Sequence, residues 1–257
     1  MKRINLFLFI AFLICSLFIN VSAQESIYHK GSPEWLVDMF FSKSYFPEKE
    51  KYFMGEMLQD IKYPTIGEEL KGGGTVSFRQ TELKTNTAVY NINIRGNGNT
   101  VNFYCYLRNV SGDWKIEAIR KFQLPGFIYD AVDSLSKIEN LPDSTSTLLK
   151  SLQLMVGPDE DLQTYLTEYV NTFYNLIHAF ENKLTEELEV LMNQLALDYI
   201  FMDELYPQCI FVLISAFEST EVGYIYTENK SRLPKVSPNR FIYIEEVLPN
   251  WYVYRAI

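Results

Sequence analysis

Catalysis and metal binding need particular side chains at particular spacings, and this sequence offers few of them. His29 and His178 are its only histidines, and neither stands at metal-ligand spacing from the other or from a cysteine. His178 falls in line with Asn171, Asn175 and Asn182, which reads as the solvated face of a helix. No serine–histidine pair or nucleophile elbow can be written. Gly72-Gly73-Gly74 lacks the lysine that a phosphate-binding loop places after its last glycine. No catalytic residue, metal or cofactor is therefore assigned. Asp38 is the one weak candidate for catalysis. It is the only polar residue in Trp35–Phe41, where desolvation beside aromatic rings would raise its pKa and suit it to proton transfer.

Binding chemistry is better represented. The chain holds 18 tyrosines, and Tyr90, Tyr104, Tyr106, Tyr224, Tyr226 and Tyr243 fall on strand-like runs. With Trp35, Trp114 and Trp251 they are the candidate ligand-pocket residues, apolar bodies with polar tips suited to a small molecule or a glycan. The alternative is sheet packing. Lys230, Arg232, Lys235 and Arg240 form a basic island between residues 229 and 240, stiffened by Pro234 and Pro238. This loop is the candidate contact for an anionic group or an acidic protein surface.

These residues must be carried by elements that can be read locally. Ser32-Pro33-Glu34 is a helix start, and the following "WLVDMFF" is apolar nearly all round, so other structure should clasp it. "PEKEKYFMGEMLQDI" reads as a second helix and "GEELKGGGTV" as loop. From Thr75 the period turns to alternation: "TVSFRQTELK", "AVYNINIR" and "TVNFYCYLR" are strands, with a hairpin turn at "GNGN". "GFIYDAVDSL" suggests a short helix and "ENLPDSTST" a linker. A second helical block opens at Asp159, with one apolar stripe from Leu162 to Leu184. The strands "CIFVLISAF", "VGYIY", "FIYIEEV" and "WYVYRAI" follow.

The order helices, sheet, link, helices, sheet suggests a duplication. Aligning Trp114 with Trp251 also aligns Tyr106 with Tyr243 and Val110 with Val247 without a gap. "SGDWKIEAI" and "PNWYVYRAI", together with the element order over residues 32–122 and 159–257, resemble the nuclear-transport-factor-2-like superfamily, which includes ketosteroid isomerases and SnoaL-like proteins. The resemblance implies an α+β fold of two tandem α+β rolls, each with N-terminal helices on a curved antiparallel sheet. It also implies conical pockets and face-to-face pairing, either between the rolls or in a homodimer. The Tyr/Asp/Asp set of the isomerases has no positional match here, and the resemblance assigns no catalytic residue. The expected organisation is a signal peptide over residues 1–23, a first roll over 24–138, a linker over 139–158 and a second roll over 159–257.

The first 23 residues join a basic start to an apolar run and end in Ser22-Ala23, the pattern of a cleaved export signal, so a periplasmic or secreted protein is expected. Cleavage removes two cations and no acid, moving the formal charge from −9 to −11. Such a surface repels nucleic acid and anionic lipid, and no membrane association is expected after cleavage. Cys105 and Cys209 remain. An even number invites a disulfide, but both sit in apolar runs where a thiol packs as a small hydrophobe, and both readings stay open. The leading expectation is an exported, non-catalytic binding or scaffold protein for a small-molecule, glycan or protein ligand. An isomerase or cyclase-like enzyme using Asp38, and an inhibitor or immunity-type protein using the basic loop, are the alternatives.

Overall fold

A computed structural model describes residues 26–96 and 98–257. The expected signal segment lies outside the described residues. The fold is α+β, with two antiparallel sheets.

Helix α1 (Pro33–Phe41) starts where Ser32 accepts the Trp35 N–H at 3.2 Å, and Leu36, Val37 and Phe41 are fully buried. The expected second helix is instead two 3-10 turns, Lys49–Tyr52 and Gly55–Asp60. The cause is Phe53, which forms a bridge with Ile116, while the Met54 N–H bonds the Ile116 carbonyl, drawing the chain out to the sheet. The expected loop holds a short helix, α2 (Ile66–Leu70). Thr65 and Glu68 close a reciprocal capping box at its start.

Strands β1 (Thr75–Leu83), β2 (Thr87–Gly96), β3 (Asn99–Val110) and β4 (Asp113–Lys121) pair in sequence order. Alternation gives this sheet two different faces. Ala88, Tyr90, Ile92, Cys105 and Leu107 pack on α1 as one core. Their neighbours Val89, Tyr104, Tyr106 and Ala118 point the other way and belong to a core shared with the second half.

The segment expected as a linker folds into α4 (Asp143–Val156), which follows α3 (Gly126–Ser136). Ser144, Thr145 and Thr147 read as loop residues, but Ser151, Leu154 and Met155 supply a buried helical stripe. The long apolar stripe after Asp159 breaks at Tyr169 into α5 (Asp159–Glu168) and α6 (Val170–Glu181), and α7 (Thr185–Gln194) follows. The second sheet has the order β5 (Tyr199–Met202), β6 (Ile210–Phe217), β7 (Thr220–Tyr226), β9 (Trp251–Ala256), β8 (Phe241–Leu248). The last strand is an edge in the first sheet and an interior strand in the second. Trp114 and Trp251 both open these strands, yet Trp114 is half-buried and Trp251 fully buried.

Both faces of the second sheet are apolar. One packs on the helices through Val212, Tyr224 and Val253. The other, with Phe211, Ile225 and Tyr254, is covered by Tyr206, Leu233 and Val236 from this chain's own loops. The expected cover was the other roll or another chain. The loop that supplies the basic residues also carries the apolar ones that close this face.

Candidate functional site

The residues singled out above are dispersed. The Asp38 carboxylate lies 3.2 Å from Lys43 Nζ, both side chains mostly buried, and Asp38 Oδ2 has no aligned hydrogen bond beyond this ion pair. Trp35 packs on Phe46 and Tyr52, and the Tyr90 hydroxyl donates to Glu34 Oε1 at 2.7 Å in the same core. Tyr104 and Tyr106 sit on the opposite face of that sheet, because Tyr90 is paired with Cys105 between them. Tyr224 donates to the Leu162 carbonyl at 2.9 Å, and Trp251 is packed among Phe173, Tyr174 and Tyr226. These aromatic side chains fill cores. They do not line one pocket.

The basic loop is half neutralised. Lys230 Nζ bonds Glu246 at 2.7 Å and Arg240 lies 3.6 Å from Glu221. Arg232 lies in a 3-10 turn, and its carbonyl faces the Cys209 thiol at 3.5 Å. Cys105 and Cys209 are free, lie in different cores, and have thiols pushed up by burial. Among the described residues no group of three or more His, Cys, Asp and Glu is placed to hold a metal.

The polar chemistry concentrates instead at the seam between the halves. Asp159, the first residue of α5, is completely buried. Its Oδ1 accepts Arg255 Nε at 2.7 Å and the Tyr104 hydroxyl at 2.9 Å, and its Oδ2 accepts Asn91 Nδ2 at 2.8 Å. Its backbone N–H donates to Asn102 Oδ1 at 3.2 Å, and Asn102 Nδ2 donates to Asn91 Oδ1. The remaining guanidinium nitrogens of Arg255 donate to the carbonyls of Met155 and Gly157, where α4 ends. One cation thus closes the negative end of α4, and one carboxylate occupies the positive end of α5. Tyr243 stacks on Tyr104 with ring centres 5.1 Å apart, and Tyr106 donates to the Ile242 carbonyl at 2.5 Å. Burial, then the Asp159 charge, pushes the Tyr104 hydroxyl well above its ordinary pKa. Three donors, from Arg255, Tyr104 and Asn91, converge on the one carboxylate, so this cluster ties the two halves together.

Beside the seam lies a cleft of about 540 Å³, walled by the β2–β3 hairpin, the end of β4, α3 and the α4–α5 corner. Thr100, Asn102, Lys121, Phe122 and Tyr129 come from the first sheet and the helix after it. Gly157 and Arg255 come from the second half. The Arg255 guanidinium lies over the Phe122 ring at 4.4 Å, a cation–π contact that fixes one side of the wall. Sequence reading missed this region. The available signal was Asn91, Asn93 and Asn102 in strand runs, since asparagine is depleted in strands and Asn91 and Asn93 share one face.

Comparison of the chain with protein-family models and with curated protein sequences finds no match. Among the described residues no helix is long and apolar enough to cross a membrane.

Proposed function

We propose that this chain is an exported, non-catalytic binding protein, periplasmic or secreted, which receives a small ligand in the seam cleft. The observation that carries this reading is the cleft wall itself. It joins hydroxyl, amide, ammonium and aromatic groups of the first half to the Arg255 guanidinium and the α4–α5 corner in one concavity of a size usual for small-ligand sites. The basic loop was the other candidate contact surface; the ion pairs of Lys230 and Arg240 move the preference to the cleft. The isomerase alternative loses support because Asp38 is ion-paired with Lys43 and lies outside the wall of the seam cleft. Native mass spectrometry of protein recovered from its own host tests the reading. A bound small molecule that is lost when Thr100→Trp fills the cleft supports it. A turnover abolished by Asp38→Asn would replace it with the enzyme reading.

Export itself rests on residues 1–23, and intact mass of the same material should show Gln24 as the first residue. The kinship proposed with the nuclear-transport-factor-2-like rolls, and the duplication with it, rest on the helices-then-sheet order of each half. The different place of the last strand in the two sheets weighs against a simple repeat.

A further inference from the structure

We propose that the seam cleft takes a small carboxylate-bearing polyol, an acidic sugar of the uronic-acid type; this rests on the cleft being the binding site. The observation is one of charge. The chain has 32 acidic residues against 23 basic ones, and each of three other clefts has two carboxylates in its wall: Asp161 and Glu168, Glu56 and Asp60, Glu189 and Asp198. Among the described residues the wall of the seam cleft has none, and it has two cations. Arg255 is spent on Asp159 and on two carbonyls. Lys121, exposed at the end of β4, has no ion pair or hydrogen-bonded partner among the described residues. A single uncompensated ammonium in a concave wall favours one carboxylate through a charge-assisted hydrogen bond. The net negative charge of the whole molecule opposes a polyanion, so one acidic group is the best match.

The rest of the wall fits the body of a sugar. Thr100, Asn99 and Tyr129 offer hydroxyl and amide groups, while Tyr129 and Phe122 offer ring surface for the C–H face of a pyranose. Asn102 and Tyr104 are already bonded within the seam and act as rigid backing.

Calorimetric titration of the chain without residues 1–23 with D-galacturonate, and with D-galactose as the neutral control, tests this. Galacturonate is expected to bind about tenfold more tightly than galactose, with the difference shrinking as salt rises. Lys121→Met should abolish that preference, and Thr100→Trp should remove binding of both sugars. Lys121 is exposed, so its variants keep the fold, which circular dichroism verifies. Equal binding of the two sugars, lost in Thr100→Trp, would overturn the acidic-ligand proposal and leave the cleft standing. Galacturonate binding that survives Thr100→Trp in a folded protein would overturn the cleft reading as well. A galacturonate Kd weaker than about 1 mM would overturn the acidic-sugar assignment alone.

Discussion

Asp159 and Arg255 are buried together at the point where two helices and two sheets meet, and their energetics differ from those of a surface ion pair. Removing one partner leaves the other charge without compensation, which typically costs about 3–5 kcal/mol. Asp159→Ala should therefore lower the urea-unfolding free energy by about 3–5 kcal/mol. The double variant Asp159→Leu/Arg255→Met should be less costly than the sum of its single changes. Glu68 gives the fold a sensitivity to acid. Burial raises the pKa of Glu68, but the backbone N–H groups of Thr65 and Phe46 and the Lys49 ammonium outweigh it and hold the group below its ordinary value. A depressed carboxylate stabilises the fold above its unfolded pKa, and that contribution is lost as pH falls through the folded one. Glu68→Gln should flatten the stability–pH curve below the ordinary glutamate pKa of 4.5. Asp198 has the opposite sign. Partial desolvation raises its pKa against weaker hydrogen bonds from Ser215 and Ala216, and because the residue is exposed to solvent Asp198→Asn should change stability little.

Secondary elements depend on a few local devices. The Thr65 hydroxyl accepts the Glu68 N–H at the start of α2, and Thr65→Ala should cost about 1 kcal/mol in chemical denaturation. Gly223 pairs with Leu213 beside a register shift, and a β-carbon there would stand 2.2 Å from the Val212 carbonyl oxygen. Gly223→Ala should cost at least about 1–3 kcal/mol, with a matching fall in thermal midpoint. At this scale the sequence was most readable. The Ser32-Pro33 start of α1, the hairpins and the closing strands follow from local side-chain chemistry and period. What failed depended on partners remote in sequence. Ile116 draws Phe53 out of a helix, and the buried stripe of Ser151, Leu154 and Met155 turns a Ser/Thr-rich link into α4. The seam was illegible for the same reason. Asp159-Glu160-Asp161 reads as three equivalent acids at a helix start, and only the first meets Arg255, 96 residues away. The tyrosines were correctly placed on strands, but strand alternation alone does not say whether a face meets a cavity or another layer.

At the scale of the whole molecule, the first sheet cannot leave its second face in water. Tyr104, Tyr106 and Asn91 find their partners in Asp159 and Ile242, and Val89 and Ala118 join a core completed by α4–α7 and the second sheet. Residues 24–138 expressed alone should therefore aggregate or remain unfolded, read from the dispersion of a proton–nitrogen correlation spectrum. The same seam carries the wall of the ligand cleft, so joint and site are one feature. Native-state hydrogen exchange on the chain without residues 1–23, with Asp159→Asn beside it, tests this most directly. The slowest amides of β2–β3 and of β7–β9 should open with one common free energy, and that value should fall together in both sheets in the variant. Independent opening of the two sheets, or a fall confined to one of them, would contradict the account.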